Sequence, residues 1–523
     1  MSASRTADHA TRAAALPPAV MLVGVSGVMM FVPGAYGLAS GESADARSFL
    51  AYGGLTLALA AMLALALAPG ARRRPAGSYL ATLVGAYALL PLVLALPFHQ
   101  AVGNTRFLNA YLEMVSSLTT TGATLFPDPA RLSGTEHLWR ALVAWMGGFF
   151  ALLAAVAIFA PLGIGGFEVL APARAGRLER KGAIAEVADP AVRLRRFGVM
   201  LAPVYGALTL ALWVGLLIAG DQPLVALCHA MSTLATSGIS PVGGTTGAGA
   251  GLAGEALVLL FLVFALSRRS FTRERGTRWG RELRADPELR LGLALIGAVS
   301  AALFLRHWWG AVEVRSGQDV FEAARALWGG IFTTASFLTT TGFVSSGWEA
   351  AQNWSGLHTP GLLLLGLAVF GGGVATTAGG VKLLRLYALA LHGRRELERL
   401  VHPNAVVGGG TISAGSGATE GKGEQYGVRA AYVAWLFFML FALSIAALML
   451  AFSLTGLDFE TTLVLTIAGL TTTGPLLEVA ESAPVALSGL GDAAKLIFAA
   501  TMVLGRLEAL AIVALASPDI WRR

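Results

Sequence analysis

Cysteine occurs once in 523 residues, at Cys228. That excludes an intramolecular disulfide framework and a cysteine-built metal cluster. Charge is scarce too: 13% of the chain is Asp, Glu, Lys or Arg, where a soluble domain carries about 25%. With 55% hydrophobic residues and a mean hydropathy of +0.67, a soluble globular enzyme is excluded and a polytopic membrane protein is indicated. The excess of 38 basic over 31 acidic residues does not signify nucleic acid, because the basic side chains lie in short loops between apolar runs. No cleavable signal is expected, since the uncharged run 13–41 is too long for an h-region and reads as a first span. The Gly-rich stretch 408–423 lacks a strand-to-helix context, which makes it a flexible cytoplasmic linker and not a phosphate loop.

What is there instead is a series of apolar runs of bilayer length, about 20 residues each. Ten candidates cover 13–41, 48–71, 75–105, 141–167, 197–220, 252–267, 291–305, 350–381, 430–457 and 496–518. Basic clusters at 72–74, 174–196, 268–284, 382–399 and 522–523 mark the cytoplasmic loops, since Lys and Arg favour that side. Ten crossings then leave both termini cytoplasmic in a multi-pass protein of the cytoplasmic membrane.

Between the spans one polar phrase recurs. Leu-Thr-Thr-Thr-Gly ends at Gly122, Gly342 and Gly474, and a looser copy, Leu-Ala-Thr-Ser-Gly, ends at Gly238. Repetition at domain-scale intervals points to an internally repeated fold converging on one site. Each copy follows an apolar segment too short to cross a bilayer, at 108–118, 223–234, 320–338 and 459–470. Each unit therefore reads as span, re-entrant helix, extended Thr-Gly strand, span. The expected division is a two-helix N-terminal region (1–74), pore repeats at 75–170, 171–284, 285–407 and 427–523, and a linker at 408–426. The fold class is all-α, with four parallel pseudo-repeats around one ion path.

Thr and Gly suit a cation. Backbone carbonyls replace a hydration shell without a net charge that would trap the ion. Glycine allows the dihedrals needed to aim successive carbonyls at one axis, and re-entrant helices ending there bring their negative dipole ends to the site. The candidate ion-binding residues are Thr120, Thr121, Gly122, Thr236, Ser237, Gly238, Thr340, Thr341, Gly342, Thr472, Thr473 and Gly474. Glu113, Glu322 and Glu460 read as structural partners, and His229 as a packed, hydrogen-bonded residue. Gly371, Gly372, Gly373, Gly379 and Gly380 interrupt a span and should unwind it into the pore as a gate. Arg506 falls within the last span, where an unpaired arginine costs about 2.5–3.5 kcal/mol. Its expected partners are carbonyls of the 371–380 loop or Glu508. Two rivals stay open: a secondary transporter of a small solute, which broken helices also fit, and an intramembrane hydrolase, for which no His or Asp is expected at comparable membrane depth near any phrase to activate its Thr or Ser.

These phrases, with Trp139-Arg140, Trp145–Gly148, Gly371–Lys382, His402–Val406 and Gly505–Glu508, resemble the Trk/Ktr/HKT superfamily of potassium uptake proteins, nearest the bacterial TrkH type. The resemblance implies a channel-like subunit for K+, homodimeric, on a cytoplasmic TrkA-like ring that holds the regulatory nucleotide, with no cofactor bound by this chain. Lys382 then joins Arg506 among the gating residues. In that family the filter glycine lines the ion path, and serine in the first repeat goes with sodium passage. All four glycines are present here, so potassium is favoured over a sodium-permeable variant. Ser237 and the segment Val374–Ala378 depart from the family pattern.

Overall fold

A computed structural model of the chain describes residues 18–67, 76–162, 164–167, 190–267, 286–310, 320–357, 359–402, 420–480 and 484–508. Among them all regular structure is helical. Helices α1 (Pro18–Ser40) and α2 (Ser43–Leu67) pair at the N-terminus. Glu42, between them, accepts the backbone N–H groups of Gly134 (3.1 Å) and Thr135 (2.8 Å), a carboxylate at the positive end of a helix dipole.

The remaining described helices follow as four consecutive units, each holding one helix that leads into a Thr-Gly phrase. The first holds α3 (Ala76–Val102), α4 (Phe107–Leu118) and α5 (Gly134–Ala154), the last continuing through a π-helical turn to Leu162. The second holds α6 (Pro190–Ile218), α7 (Pro223–Ala235) and α8 (Gly251–Leu266). The third holds α9 (Pro287–Gly310), α10 (Val320–Leu338), α11 (Trp348–Ser355), α12 (Pro360–Phe370) and α13 (Leu383–Val401). The fourth holds α14 (Glu420–Ser453), α15 (Phe459–Leu470), α16 (Leu476–Val479) and α17 (Asp492–Leu507). Among the described residues seven helices are long and apolar enough to cross a bilayer, so the chain is a multi-pass membrane protein. The short helices α4, α7, α10 and α15 begin and end within one residue of the segments expected to be re-entrant. At 1.5 Å per residue the 12 residues of α4 reach about 18 Å, short of the roughly 30 Å hydrocarbon core.

Several spans differ from expectation for local reasons. Helix α5 starts at Gly134, before 141, because Ser133 and Glu136 form a reciprocal capping box, which satisfies two orphan N–H groups. The short run 291–305 is a full-length helix, Pro287–Gly310. The run 350–381 is not one span: Gly356 ends α11 in a left-handed turn, Pro360 opens α12, and Gly371 (φ +72°) stops it. Helix α14 begins at Glu420, inside the expected linker. The basic clusters 72–74, 174–181 and 268–284, residues 408–419 and the tail beyond 508 lie outside the described residues.

The first and fourth units meet along a parallel seam. Arg106 pairs with Asp492 (2.7 Å), Lys495 donates to Asn109 (3.0 Å), and Arg506 donates to Thr120 (3.1 Å). All three pairs share one offset of 386 residues, so α4 and α17 run side by side in constant register.

Candidate functional site

Each short helix ends in the same way. After Leu118, the N–H of Thr120 bonds to Ser117 O (2.9 Å) and that of Thr121 to Ser116 O (2.8 Å). Thr340 and Thr341 repeat this onto Phe337 (3.1 Å) and Ser336 (2.9 Å), and Thr472 and Thr473 onto Gly469 (3.2 Å) and Ala468 (2.9 Å). Thr236 and Ser237 repeat it onto Thr233 (3.2 Å) and Ser232 (3.0 Å). This is a Schellman closure, whose turning residue must be left-handed and is usually glycine. Here it is threonine every time, with φ of +57°, +52°, +57° and +53° at Thr120, Thr236, Thr340 and Thr472. A side chain in that region costs about 1–2 kcal/mol. Residues held so are over-determined by their surroundings and cluster at functional sites.

The hydroxyls are buried and need partners. The first threonine of each full phrase bonds back to its helix: Thr119 to Val115 O (2.8 Å), Thr339 to Ala335 O (2.9 Å), Thr471 to Ile467 O (2.7 Å). The third threonine then bonds to the first, at 2.8, 3.1 and 3.2 Å for Thr121, Thr341 and Thr473. The second unit has Ala235 in place of the first threonine, and Ser237 turns instead to Ser232 (3.0 Å). The departure at Ser237 is thus compensated within its own helix.

The phrases are not extended strands, as the sequence pattern suggested; their left-handed residues wind them into a tight turn. They meet in a closed ring. A Cβ on Gly122 would lie 1.7 Å from Ser237 O, and one on Gly238 2.3 Å from Thr341 O. One on Gly342 would lie 2.6 Å from the Pro475 ring, and one on Gly474 2.1 Å from Ala123 N. Unit one therefore abuts two, two abuts three, three abuts four, and four abuts one. Gly474 N also donates to Thr121 O (2.6 Å). Pro475 escaped the sequence reading, although Gly-Pro after a helix end signals a change of direction.

Residues 371–382 lie between α12 and α13 as an unwound loop directly against this ring. Gly379 N donates to Thr340 Oγ1 (2.7 Å), and Thr377 Oγ1 donates to Leu234 O (3.0 Å). A Cβ on Gly379 would sit 2.1 Å from Thr471 O. Arg506 Nη1 donates both to Thr377 O (2.6 Å) and to Thr120 Oγ1 (3.1 Å). The loop is thereby joined to all four phrases. Its start is held by Gly373 N on Ala265 O (2.9 Å) and Val374 N on Glu288 Oε1 (2.8 Å). At its end Lys382, itself at φ +84°, donates to Ala378 O. Gly371, Gly372 and Gly380 are packed against backbone or side-chain atoms of the loop and of α8 and α12. Arg506 stands in the last turn of α17, and its partners are the loop carbonyl and a threonine. Glu508, the other partner considered, pairs with Arg385 (2.7 Å), whose guanidinium lies 3.5 Å over Phe437.

On the opposite side the ring opens into a funnel of ≈ 640 Å³, including its open end, floored by Gly122, Gly238, Gly342 and Pro475. The loops around it are pinned by buried polar groups. Glu113 pairs with Arg140 (2.7 Å) and accepts Leu125 N (2.9 Å). His229 bonds Ser240 Oγ (2.8 Å). Glu255 accepts Trp328 Nε1 (2.7 Å), Ser345 Oγ (2.7 Å) and Ser346 N (2.7 Å). Burial pushes the Asp221 carboxyl up, but His229 and the Ala250 N–H outweigh it and hold the group below the ordinary carboxylate range. Glu113 and His229 are structural partners, as expected, while Glu322 and Glu460 are exposed at the starts of their helices. Among the described residues no three His, Cys, Asp or Glu side chains form a metal-holding group.

The TrkH family, described as a cation transport protein, matches residues 289–523. The Trk system potassium uptake protein TrkH of Vibrio parahaemolyticus is 31% identical over 450 residues, 84% of each chain. TrkI of Halomonas elongata, also named a Trk system potassium uptake protein, is 30% identical over 452 residues, 84% of this chain and 82% of that one. The crystal structure of the potassium transporter TrkH from Vibrio parahaemolyticus superposes with a TM-score of 0.78 at 26% identity, covering 96% of this chain and 98% of that one.

Proposed function

Because this chain belongs to the TrkH family of cation transport proteins, we infer that it takes up potassium across the cytoplasmic membrane through a single channel-like pore. The observation that carries this reading is the closed ring in which four equivalent helix ends abut one another. Carbonyls of Thr120–Gly122, Thr236–Gly238, Thr340–Gly342 and Thr472–Gly474 replace the hydration shell of K+. The four short helices aim their negative ends at the same point. The funnel faces outward and the 371–382 loop lies on the cytoplasmic side, which keeps the basic loops inside.

The loop is the gate. A filter must let ions leave, so something beneath it has to stop flow. The hydrogen bonds from Gly379 and Thr377 hold the loop to the ring, and Arg506 locks it to the first phrase. The arginine also places a positive charge where a cation would wait. The subunit works as a homodimer on a cytoplasmic TrkA-like nucleotide-binding partner, which biases the loop.

Purified protein in liposomes, given outward rubidium and sodium gradients in turn, tests the function. Rubidium flux well above sodium flux is expected. Equal fluxes would remove the potassium reading, and flux driven only by an organic solute would make the chain a secondary transporter.

A further inference from the structure

The fourth phrase differs from the others in what comes next. Units one to three continue into irregular chain, whereas Pro475 (φ −58°, ψ −12°) opens the short helix α16. Pro475 lies on the funnel floor against Gly238 and Gly342. Glu478 follows three residues later, with its N–H on Pro475 O (3.1 Å). Residues three apart share a helix face, so the carboxylate stands one turn above the ring and lines the funnel.

Among the described residues three ionisable side chains line this funnel: His137, Arg140 and Glu478. Arg140 is neutralised by Glu113, 2.7 Å away, with both side chains buried. His137 bonds Pro129 O through Nε2 (2.9 Å) and faces the Arg140 guanidinium through Nδ1 (3.4 Å). Only a neutral ring accepts from a guanidinium at Nδ1 while donating from Nε2. Glu478 makes no ion pair among the described residues and is open to the funnel mouth. Among the described lining residues, Glu478 is therefore the one negative charge left without an ion-pair partner at the entrance.

We propose that Glu478 is a cation-gathering residue, which concentrates hydrated monovalent cations at the outer mouth and sets uptake rate at low external concentration without setting ion preference. This rests on the potassium-pore reading above. A fixed charge in a cleft with low-dielectric walls raises the local counter-ion concentration. One charge several ångströms from the ion's path is worth roughly three- to tenfold in entry rate at low salt. The effect is screened once the Debye length falls to about 3 Å near 1 M. The surrounding walls push the Glu478 carboxyl above its ordinary range, and Arg140 opposes this. The charge is present above that raised pKa and is lost as external pH falls through it. Proton inhibition from outside therefore starts at a higher pH than for a free carboxyl.

The test is rubidium uptake by wild type, Glu478→Gln and Glu478→Asp in liposomes, at low and at near-molar external ionic strength. The expected result is a three- to tenfold loss for Gln at low ionic strength only, recovery with Asp, and an unchanged rubidium-to-sodium ratio. Wild-type uptake at low salt should also fall on external acidification, while the Gln variant stays flat. Equal wild-type and Gln uptake at low salt, or the same loss at both ionic strengths, would overturn the proposal. Absence of rubidium-selective flux in wild type would instead overturn the potassium reading beneath it.

Discussion

The third and fourth phrases carry the same letters, Leu-Thr-Thr-Thr-Gly, and part at the residue that follows, Phe343 in one and Pro475 in the other. Both end their helix with the same pair of backbone bonds and the same left-handed threonine. Gly342, followed by Phe343, stays left-handed at φ +84° and its N–H turns back to Ser336 O (3.3 Å). Gly474, followed by Pro475, is not left-handed, and its N–H crosses to Thr121 O. A proline pushes the residue before it toward extended backbone, which frees that N–H from its own helix. The phrase specifies how the helix stops; the next residue specifies where the glycine goes. The fourth unit thereby closes the ring onto the first and supplies a rigid ring of atoms to its floor.

The largest expected effect breaks the ring at its tightest backbone contact. Gly122→Ala places a Cβ 1.7 Å from Ser237 O, and only backbone displacement relieves it. The rubidium-to-sodium permeability ratio should fall by roughly tenfold or more, equivalent to about 1.4 kcal/mol of discrimination. Gly342→Ala instead meets the Pro475 side chain at 2.6–2.9 Å. Adding Pro475→Ala should restore part of the ratio for the Gly342 variant and none of it for the Gly122 variant. Equal rescue of both would mean the two contacts are not distinct.

A smaller effect separates the threonines in left-handed turns. Thr340→Val removes the acceptor of the Gly379 N–H, and an unmet buried donor costs about 1–3 kcal/mol. Single-channel open probability should rise several-fold, because the bound loop is the state weakened. Thr472 Oγ1 has no hydrogen-bond partner among the described residues, so Thr472→Val should leave open probability nearly unchanged. Identical behaviour of the two would argue against hydroxyl anchoring of the loop. The smallest effect belongs to the solvent-facing end of the seam. Arg106 and Asp492 are exposed, such pairs contribute little, and Arg106→Ala should not measurably change thermal stability or ion preference.

Much of this was legible in the residues. Apolar run length marked most of the spans and run shortness marked α4, α7 and α15, because both follow from bilayer thickness; the 19-residue α10 was marked only by the phrase that follows it. The repeated phrase located the place where four helix ends meet. The glycine density of 371–380 located the unwound loop, since glycine both weakens helices and permits close approach. Three-dimensional partners were not legible. That Arg506 meets Thr377 O and Thr120, while Glu508 goes to Arg385, depends on how α13 and α17 pack. The left-handed threonines were hidden for a different reason: threonine is a poor residue for that conformation, and propensity argues against it. The break of 350–381 into α11, α12 and loop was signalled by Gly356 and Pro360 but masked by the uniform hydropathy around them.

In the proposed mechanism, selection and closure sit on opposite sides of one ring of threonines and glycines. Arg506→Ala tests it most directly, because this side chain touches both the loop and the first phrase. The measurement is single-channel open probability together with the potassium-to-sodium permeability ratio, on protein verified as folded and membrane-inserted. Loss of two charge-assisted hydrogen bonds, each worth about 1.5–3 kcal/mol, should raise open probability by roughly tenfold or more while the ratio stays at the wild-type value. Loss of conductance, or a ratio that moves with open probability, would contradict the division.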